Sequence, residues 1–585
     1  MAANVGKKLI NSKERCVDES LEGTAASHPG LRLLSGHRVM VREDVASVRA
    51  AGKVTLLSGG GSGHEPAHAG YIGAGMLTGA IAGSVFTSPP PADILAAIRA
   101  VGQGNPAGTL LIVKNYTGDR LNFGMSLERA RSEGLHVDML VVGEDCALTS
   151  HDKTAGRRGL AGTVFIHKIA GALAEQGRSL EDIVKVASQA ASQMGTIGIS
   201  LSPCSVPGSG PSFQLQQDEF ELGLGIHGEA GCRRQKMTSA DEIVSAMLDH
   251  MTNPDNSTHL KIPQGSKVAL MVNNLGGTSC LELGIVGRAA IQYLESRGVA
   301  MQRVYTGSFM TSLEMAGVSL TVLHLDDTLM ACLDADTSAP AWPRHLSDQD
   351  RTSDVYIPAP QHIQAEEGGT TSGQTIQADQ AQLLEKVVQR VCDRLIDSEE
   401  QLNSLDRASG DGDCGSTMAR GAKEILTSLS RLPFSCPHAL LLNLAAIVEK
   451  DMGGSSGALY SLFLTAAARP LQSDTQPAAW CAALHAGIQA ITRYGGAEPG
   501  DRTMLDPLSA AHSTLSAALS SDRTALQALE KAVKAAEMSA HATASMPARA
   551  GRASYVSPDQ LTQPDPGATA IAIIIRATHD ALKGT

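Results

Sequence analysis

The sequence predicts two domains in series, an α/β domain followed by an all-helical one, and three observations predict them. As far as about Asp336, short aliphatic runs alternate with glycine turns and amphipathic stretches. From Thr337 to about Gln380 the texture is polar and aperiodic, rich in Ser, Thr, Asp, Gln and Pro. Beyond it apolar residues recur at three- and four-residue intervals and the strand pattern disappears. A chain of 585 residues also exceeds what one ordinary core supports.

The first domain is expected over residues 8–336, with buried strands at KVTLL (53–57), GTLLIVKN (108–115), VDMLVVGED (137–145), KVALMVNN (267–274) and SLTVLHLDD (319–327). Amphipathic segments such as PADILAAIRAVGQ (91–103) between them predict helices over a largely parallel sheet. A linker is expected over 337–379. The second domain, 380–583, is expected to be built from helices at 382–406, 437–451, 477–494 and 523–546.

Aromatic residues make up only 3% and the net charge is −12, which argues against stacking platforms or a basic face for nucleic acid and against an anionic membrane surface. Ten cysteines with no CxxC pair suggest neither a zinc cluster nor a disulfide framework. MAANVGKKLI lacks the apolar stretch of a secretory signal, and ATAIAIIIRA (568–577) is about half the length of a membrane span, so a cytosolic protein is expected.

GGGSGHEPAHAG (59–70) follows an aliphatic run and reads as a glycine-rich turn. It has neither a GK[ST] ending nor a correctly spaced G-x-G-x-x-G, so both common phosphate-loop readings fail. Bare backbone also lets N–H donors approach a very small polar ligand, beside His64 and His68. LLIVKNYTGDRLNFG (110–124) delivers Lys114 and Asp119 at a strand's carboxyl end, and ELGLGIHGEAG (221–231) brackets His227 with glycines. Each is compatible with an ordinary surface turn; together they have the makeup of a small-substrate site.

In the second domain SLDRASGDGDCGSTM (404–418) places Asp406, Asp411 and Asp413 within eight residues. Three acids this close repel unless a cation joins them, and hard oxygen donors suit Mg2+ shared with nucleotide phosphates; the bland alternative is an acidic helix cap. DMGGSSGALYSLFL (451–464) aims free N–H groups of a helix start at an anion, PGDRTMLD (499–506) adds Arg502 and Asp506, and QPDPGA (563–568) puts Asp565 at an N-cap with Pro566 at the first helical position.

These seven stretches, in order over nearly the whole chain, resemble the signatures of the ATP-dependent dihydroxyacetone kinase family, and are most similar to its bifunctional animal members. The resemblance implies a two-part α/β triose-binding domain and a helical barrel around the nucleotide. It implies phosphorylation of dihydroxyacetone and glyceraldehyde by ATP, and cleavage of FAD to AMP and riboflavin 4',5'-cyclic phosphate.

By the same resemblance Gly61, Ser62, Gly63, His64, Lys114 and Asp119 hold the triose, His227 bonds covalently to its carbonyl, and His64, Asp119 and His227 are catalytic. Asp406, Asp411 and Asp413 hold Mg2+ for the kinase and Mn2+ or another divalent cation for the cyclase. Asp411, Gly412, Asp413, Cys414, Ser455, Ser456, Gly495, Arg502, Thr503, Met504, Asp565, Pro566 and Gly567 line the nucleotide site. Cys414 departs from the histidine that many bacterial relatives carry there. A homodimer in which one chain's triose domain faces the other's nucleotide domain is expected. The competing reading is a catalytically silent relative that senses a ligand and regulates a partner; loss of the histidine or the aspartates would favour it, and all are present.

Overall fold

The computed structural model describes residues 6–147, 156–211, 213–344, 356, 373–407, 410–521, 524–557 and 561–584. The chain forms two compact units, Met1–Ile357 and Pro358–Thr585.

The first unit holds two six-stranded sheets. In the first, strands β1 (Leu31–Leu33), β2 (Val39–Arg42), β3 (Thr55–Ser62), β4 (Gly79–Val85), β5 (Thr109–Lys114) and β6 (Val137–Val142) lie in the order β1-β2-β4-β3-β5-β6. Pairs β4–β3, β3–β5 and β5–β6 are parallel. Alternate residues face opposite helix layers. Leu57, Leu111 and Val113 pack with Ile94, Ile98 and Phe123, from helices Pro91–Gly102 and Thr117–Ser132. Leu56, Leu110 and Ile112 pack on the other side with Phe165, Ile169 and Ile183, from helices Thr163–Glu175 and Leu180–Ser192. Cover on both faces is why these strands read as unbroken aliphatic runs.

The second sheet comprises β7 (Met194–Ser200), β8 (Glu219–Leu222), β9 (Arg233–Lys236), β10 (Lys267–Asn274), β11 (Ala300–Gly307) and β12 (Gly317–His324), in the order β11-β10-β12-β7-β8-β9. Only β10–β11 is parallel. β12 runs antiparallel to both β10 and β7, so the expectation of a largely parallel sheet holds for the first sheet and not for the second. The sequence signal was burial rather than direction: helices Ala240–Thr252 and Cys280–Ser296 cover one face and the shared core the other, which gives antiparallel strands the same continuous apolar look.

The expected glycine turn at 59–61 is strand. β3 continues to Ser62, and a Cβ on Gly59 would lie 2.4 Å from the Ile81 carbonyl oxygen, so glycine serves the close approach of β4. The ends of the polar stretch 337–379 also belong to the units they border. Thr337 Oγ1 donates to the Ala74 carbonyl at 2.7 Å, and Trp342 is buried against Phe165 and Tyr305. At the other end the N–H groups of Gln374 and Ile376 donate to the Gln472 and Ser435 carbonyls. Most of the linker lies outside the described residues.

The second unit is helical. Helices Ala378–Asp397, Cys414–Ser428, Pro437–Met452, Gly454–Ala468, Pro477–Gly495, Leu505–Leu519, Ala525–Ala542 and Pro566–Lys583 each pack on the next, and the last packs on the first, so eight helices close a ring. Alanines at the joints, Ala511 against Ala532 and Ala536, and Ala540 against Ala568 and Ala572, let the backbones approach. Among the described residues no helix is long and apolar enough to cross a membrane; ATAIAIIIRA lies in the amphipathic helix Pro566–Lys583.

Candidate active site

In the first unit the end of β3 delivers His64 to a fully buried position. Its Nδ1 donates to the Thr311 carbonyl oxygen at 2.8 Å, which fixes the tautomer and leaves Nε2 as the second face of the ring. That Nε2 lies 3.1 Å from Nε2 of His227, on the loop after β8. His227 Nδ1 lies 2.8 Å from Glu229 Oε1, and the His227 backbone N–H donates to Glu229 Oε2 at 3.0 Å. With a proton on both Nδ1 atoms, two lone pairs would face each other across the Nε2 contact. The contact is attractive when one further proton bridges it, with Glu229 as counter-charge.

Burial first, then the charges of Lys114 and His227, push His64 well below the ordinary histidine range. Burial pushes the Glu229 carboxyl up, but the hydrogen bond and charge of His227, its own backbone N–H and the charge of Arg158 outweigh it and hold it at about 2. Arg158 is anchored in turn by Asp145 Oδ2 at 2.6 Å and the Gly223 carbonyl at 2.6 Å.

Aromatic rings enclose the pair. Phe86 stacks on His64 with centroids 5.2 Å apart and meets the His227 edge at 5.3 Å, and Tyr116 meets His227 at 4.7 Å. Lys114 ends β5 with its side chain fully buried. Burial lowers its affinity for a proton, while Asp119, Glu229, Glu144 and Glu65 act to keep it charged. Asp119 lies buried in the first turn of helix Thr117–Ser132, with Oδ1 lacking a partner. The expected residues His64, Lys114, Asp119 and His227 thus share one buried region at the carboxyl end of the first sheet. Gly61 presses on the Phe86–Thr87 backbone and Gly63 on the Phe86 ring, while the Ser62 hydroxyl donates to the Gly83 carbonyl.

In the second unit Asp406, Asp411 and Asp413 each offer a carboxylate oxygen within 4.8 Å of the others, a hard-oxygen set that fits Mg2+. Asp406 Oδ2 accepts from the N–H groups of Asp413 and Cys414 at 3.0 and 3.1 Å, so one acid of the three caps helix Cys414–Ser428. Burial first, then the charges of Asp406, Asp565, Asp413 and Asp411, push the Cys414 thiol up to about 12. Cys414 therefore sits among those four carboxylates as a neutral thiol.

Asp565 caps helix Pro566–Lys583 through the Ala568 N–H at 2.8 Å, and burial raises it to about 6 despite Arg502 Nη1 at 3.7 Å. Arg502 is buried with φ of +64° and donates to the Gln563 carbonyl at 2.8 Å. Asp506 accepts from the Gly500 and Thr503 N–H groups at 2.6 and 2.7 Å, which shapes the turn carrying Thr503 and Met504. Gly567 faces Met504, at 3.7 Å from its Cβ to a Cβ built on the glycine. Ser455 is exposed and Ser456 half-buried in the first turn of helix Gly454–Ala468. Arg420, in helix Cys414–Ser428, donates to the Asp451 and Met452 carbonyls at 2.7 and 2.5 Å and so ties that helix to the end of helix Pro437–Met452. Gly495 ends helix Pro477–Gly495, where a Cβ built on it would meet Leu459 and Ile491.

Sequence reasoning missed Phe86, Tyr116, Glu229, Thr311, Arg420 and Tyr460, whose buried hydroxyl lies near Cys414 and Asp565. Only Glu229, two residues beyond His227, had a local signal.

A Dak1 domain model matches residues 22–341 and a DAK2 domain model residues 408–580. The Homo sapiens triokinase/FMN cyclase is 55% identical over 578 residues, covering 99% of each chain. The crystal structure of the dihydroxyacetone kinase of C. freundii in its native form matches with a TM-score of 0.72 and 34% identity, covering 98% of this chain and 100% of the other. The same kinase in complex with AMP-PNP and Mg2+ matches with a TM-score of 0.71 and 35% identity over the same shares. With both domain models in order and full-length relatives at this identity, the chain belongs to the dihydroxyacetone kinase family.

Proposed function

We propose that the chain phosphorylates dihydroxyacetone and glyceraldehyde with ATP and also cleaves FAD to AMP and riboflavin 4',5'-cyclic phosphate. The observation that carries the kinase reading is the 3.1 Å contact of His64 Nε2 with His227 Nε2, backed by Glu229. A triose has few atoms with which to gain affinity, and a covalent bond overcomes that limit. It also rejects glycerol, which has no carbonyl.

The bridging proton leaves His227 Nε2 for the carbonyl oxygen by way of His64 Nε2, and the lone pair this frees on His227 Nε2 forms the bond to the carbonyl carbon as the C=O π pair moves to oxygen. The product is a hemiaminal on an imidazolium whose Nδ1–H still faces Glu229. Asp119 accepts the proton of a terminal hydroxyl as its oxygen attacks the γ-phosphorus, and the bond to the departing ADP oxygen breaks. Asp406, Asp411 and Asp413 would hold Mg2+, which would supply neutralisation of the charge on the nucleotide phosphates. The N–H groups at the start of helix Gly454–Ala468, with Ser455 and Ser456, favour the nucleotide phosphates.

FAD cleavage uses the second unit alone: a ribityl hydroxyl oxygen attacks the near phosphorus, the bond from that phosphorus to the bridging oxygen breaks, and AMP leaves with the hydroxyl proton passing to solvent; the same aspartates would hold Mn2+ or Mg2+, which would supply charge neutralisation. A homodimer and a cytosolic location accompany this reading. The silent-regulator alternative is disfavoured by the intact histidine pair and carboxylate cluster.

The test incubates pure protein with Mg-ATP and dihydroxyacetone, and separately with FAD and Mn2+. His227→Ala is expected to abolish phosphorylation and leave FAD cleavage largely intact. Parallel loss of both in a folded variant overturns the division of labour.

A further inference from the structure

Behind the His64–His227 pair lies a second pair of histidines that the mechanism above does not use. His68 and His167 are both buried, with Nδ1 of the first 3.0 Å from Nε2 of the second and ring centroids 5.2 Å apart. The Ser58 hydroxyl donates to the Ile112 carbonyl at 2.7 Å, so towards His68 Nδ1, 3.3 Å away, it can only accept. His68 therefore carries its proton on Nδ1, shared between Ser58 and His167, and presents a lone pair at Nε2. Burial first, then the charge of Lys114, hold both rings well below the usual histidine range, His167 at about 3, so both are neutral.

That lone pair points to a place of definite shape. A Cβ on Gly60 would lie 3.1 Å from Lys114 Nζ and 3.6 Å from His68 Nε2, so both atoms face the bare side of the same glycine. Neither atom has a hydrogen-bond partner, although both residues are more than nine-tenths buried. A donor and an acceptor without partners, over a glycine with no side chain, form a niche for one group that both accepts and donates. A hydroxyl is such a group. The Lys114 charge acts on His64 as well as on His68, which sets the niche beside His64, whose Nε2 meets that of His227.

We propose that His68 is a substrate-binding residue: the niche over Gly60 takes the triose hydroxyl that is not phosphorylated, with Lys114 Nζ donating to it and His68 Nε2 accepting from it. His167 is a positioning residue that holds His68 in the tautomer able to accept. The niche makes the site selective for a carbonyl compound that carries a second hydroxyl besides the one phosphorylated. This inference rests on the triose-kinase reading.

Hydroxyacetone, which keeps the carbonyl and one hydroxyl, separates the two ideas. Steady-state kcat/KM is measured for dihydroxyacetone and for hydroxyacetone with the full chain and with His68→Phe, each checked by a melting curve. The unaltered protein is expected to prefer dihydroxyacetone by about 10- to 100-fold, the range of a hydrogen bond to a charged group. In His68→Phe the preference should fall by about threefold or more, through loss of activity on dihydroxyacetone rather than gain on its analogue, with the Lys114 hydrogen bond keeping the remainder. An undiminished preference in a folded His68→Phe overturns the role of His68 and leaves the kinase reading standing. No phosphorylation of either compound by the unaltered protein overturns both. Should His68→Phe not fold, a crystal of the unaltered protein soaked in dihydroxyacetone decides: a substrate oxygen bonded to both Lys114 Nζ and His68 Nε2 supports the niche, and a substrate bound elsewhere overturns it.

Discussion

At the scale of single residues, Glu229 is where charge and covalent chemistry meet. Its carboxylate accepts from His227 Nδ1 and from the His227 backbone, and Arg158, itself held by Asp145, faces it. Glu229→Gln keeps an acceptor and removes the counter-charge to the imidazolium. We expect kcat/KM for dihydroxyacetone to fall by about 10- to 100-fold, with FAD cleavage unchanged. In the second unit, Asp411→Ala should remove both activities at saturating Mg2+ while costing about 1 kcal/mol or less in stability, because Asp406 provides the cap to helix Cys414–Ser428. Turnover that survives the substitution would return the aspartates to a capping role. His227, which alone reads as a surface-loop histidine, was legible only beside His64, Lys114 and Asp119 and through the family resemblance; Phe86 and Tyr116 were not, since only the fold brings strands β4 and β5 to the loop after β8.

At the scale of elements, β3 explains why glycines read as a turn can be strand. A run of three glycines has weak strand preference, and the sequence offers no sign of the neighbouring backbone that excludes a side chain. Gly59→Ala would place a methyl group against the Ile81 carbonyl, 2.4 Å away, where β4 cannot retreat without breaking its pairing. The expected cost is about 1 to 3 kcal/mol, read as a lowered unfolding midpoint. The aspartate loop was more legible than the strand, because ligand spacing is local and packing clearance is not. For the same reason the helices of the second unit were readable from their period, whereas the direction of β12 depended on partners distant in sequence.

At the scale of the whole molecule, buried histidines make the first unit sensitive to acid. His64, His68 and His167 are all held below the unfolded histidine value of about 6.5, so the unfolded chain binds more protons than the folded one beneath that pH. Their contribution is complete above about pH 6.5 and is lost as pH falls towards the folded values, each neutral ring steepening the loss by up to about 1.4 kcal/mol per pH unit. Melting curves from pH 7 to 5 should show the first unit losing stability, and His167→Asn, if folded, should lose it less steeply. The two units should also separate: a fragment beginning at Gly373, which keeps the Gln374 and Ile376 hydrogen bonds, is expected to give a helical circular dichroism spectrum and to cleave FAD without phosphorylating dihydroxyacetone. A fragment with no cooperative melt would show that the ring needs the first unit.

All-helical units usually fold fast because their contacts are local in sequence. The second unit departs from that habit at one seam, where helix Pro566–Lys583 packs on helix Ala378–Asp397 across most of the unit's length. During synthesis the first of these helices emerges long before its partner, with its apolar stripe exposed through the interval. Loop-closure entropy falls almost entirely on this last contact, so the seam sets the relative contact order of the unit and limits its folding rate. The same seam gives the ring a place to open: local unfolding that starts at helix Pro566–Lys583 carries Asp565 away from Asp406 and Cys414, and if the nucleotide binds as proposed, its addition should slow amide exchange in that helix first.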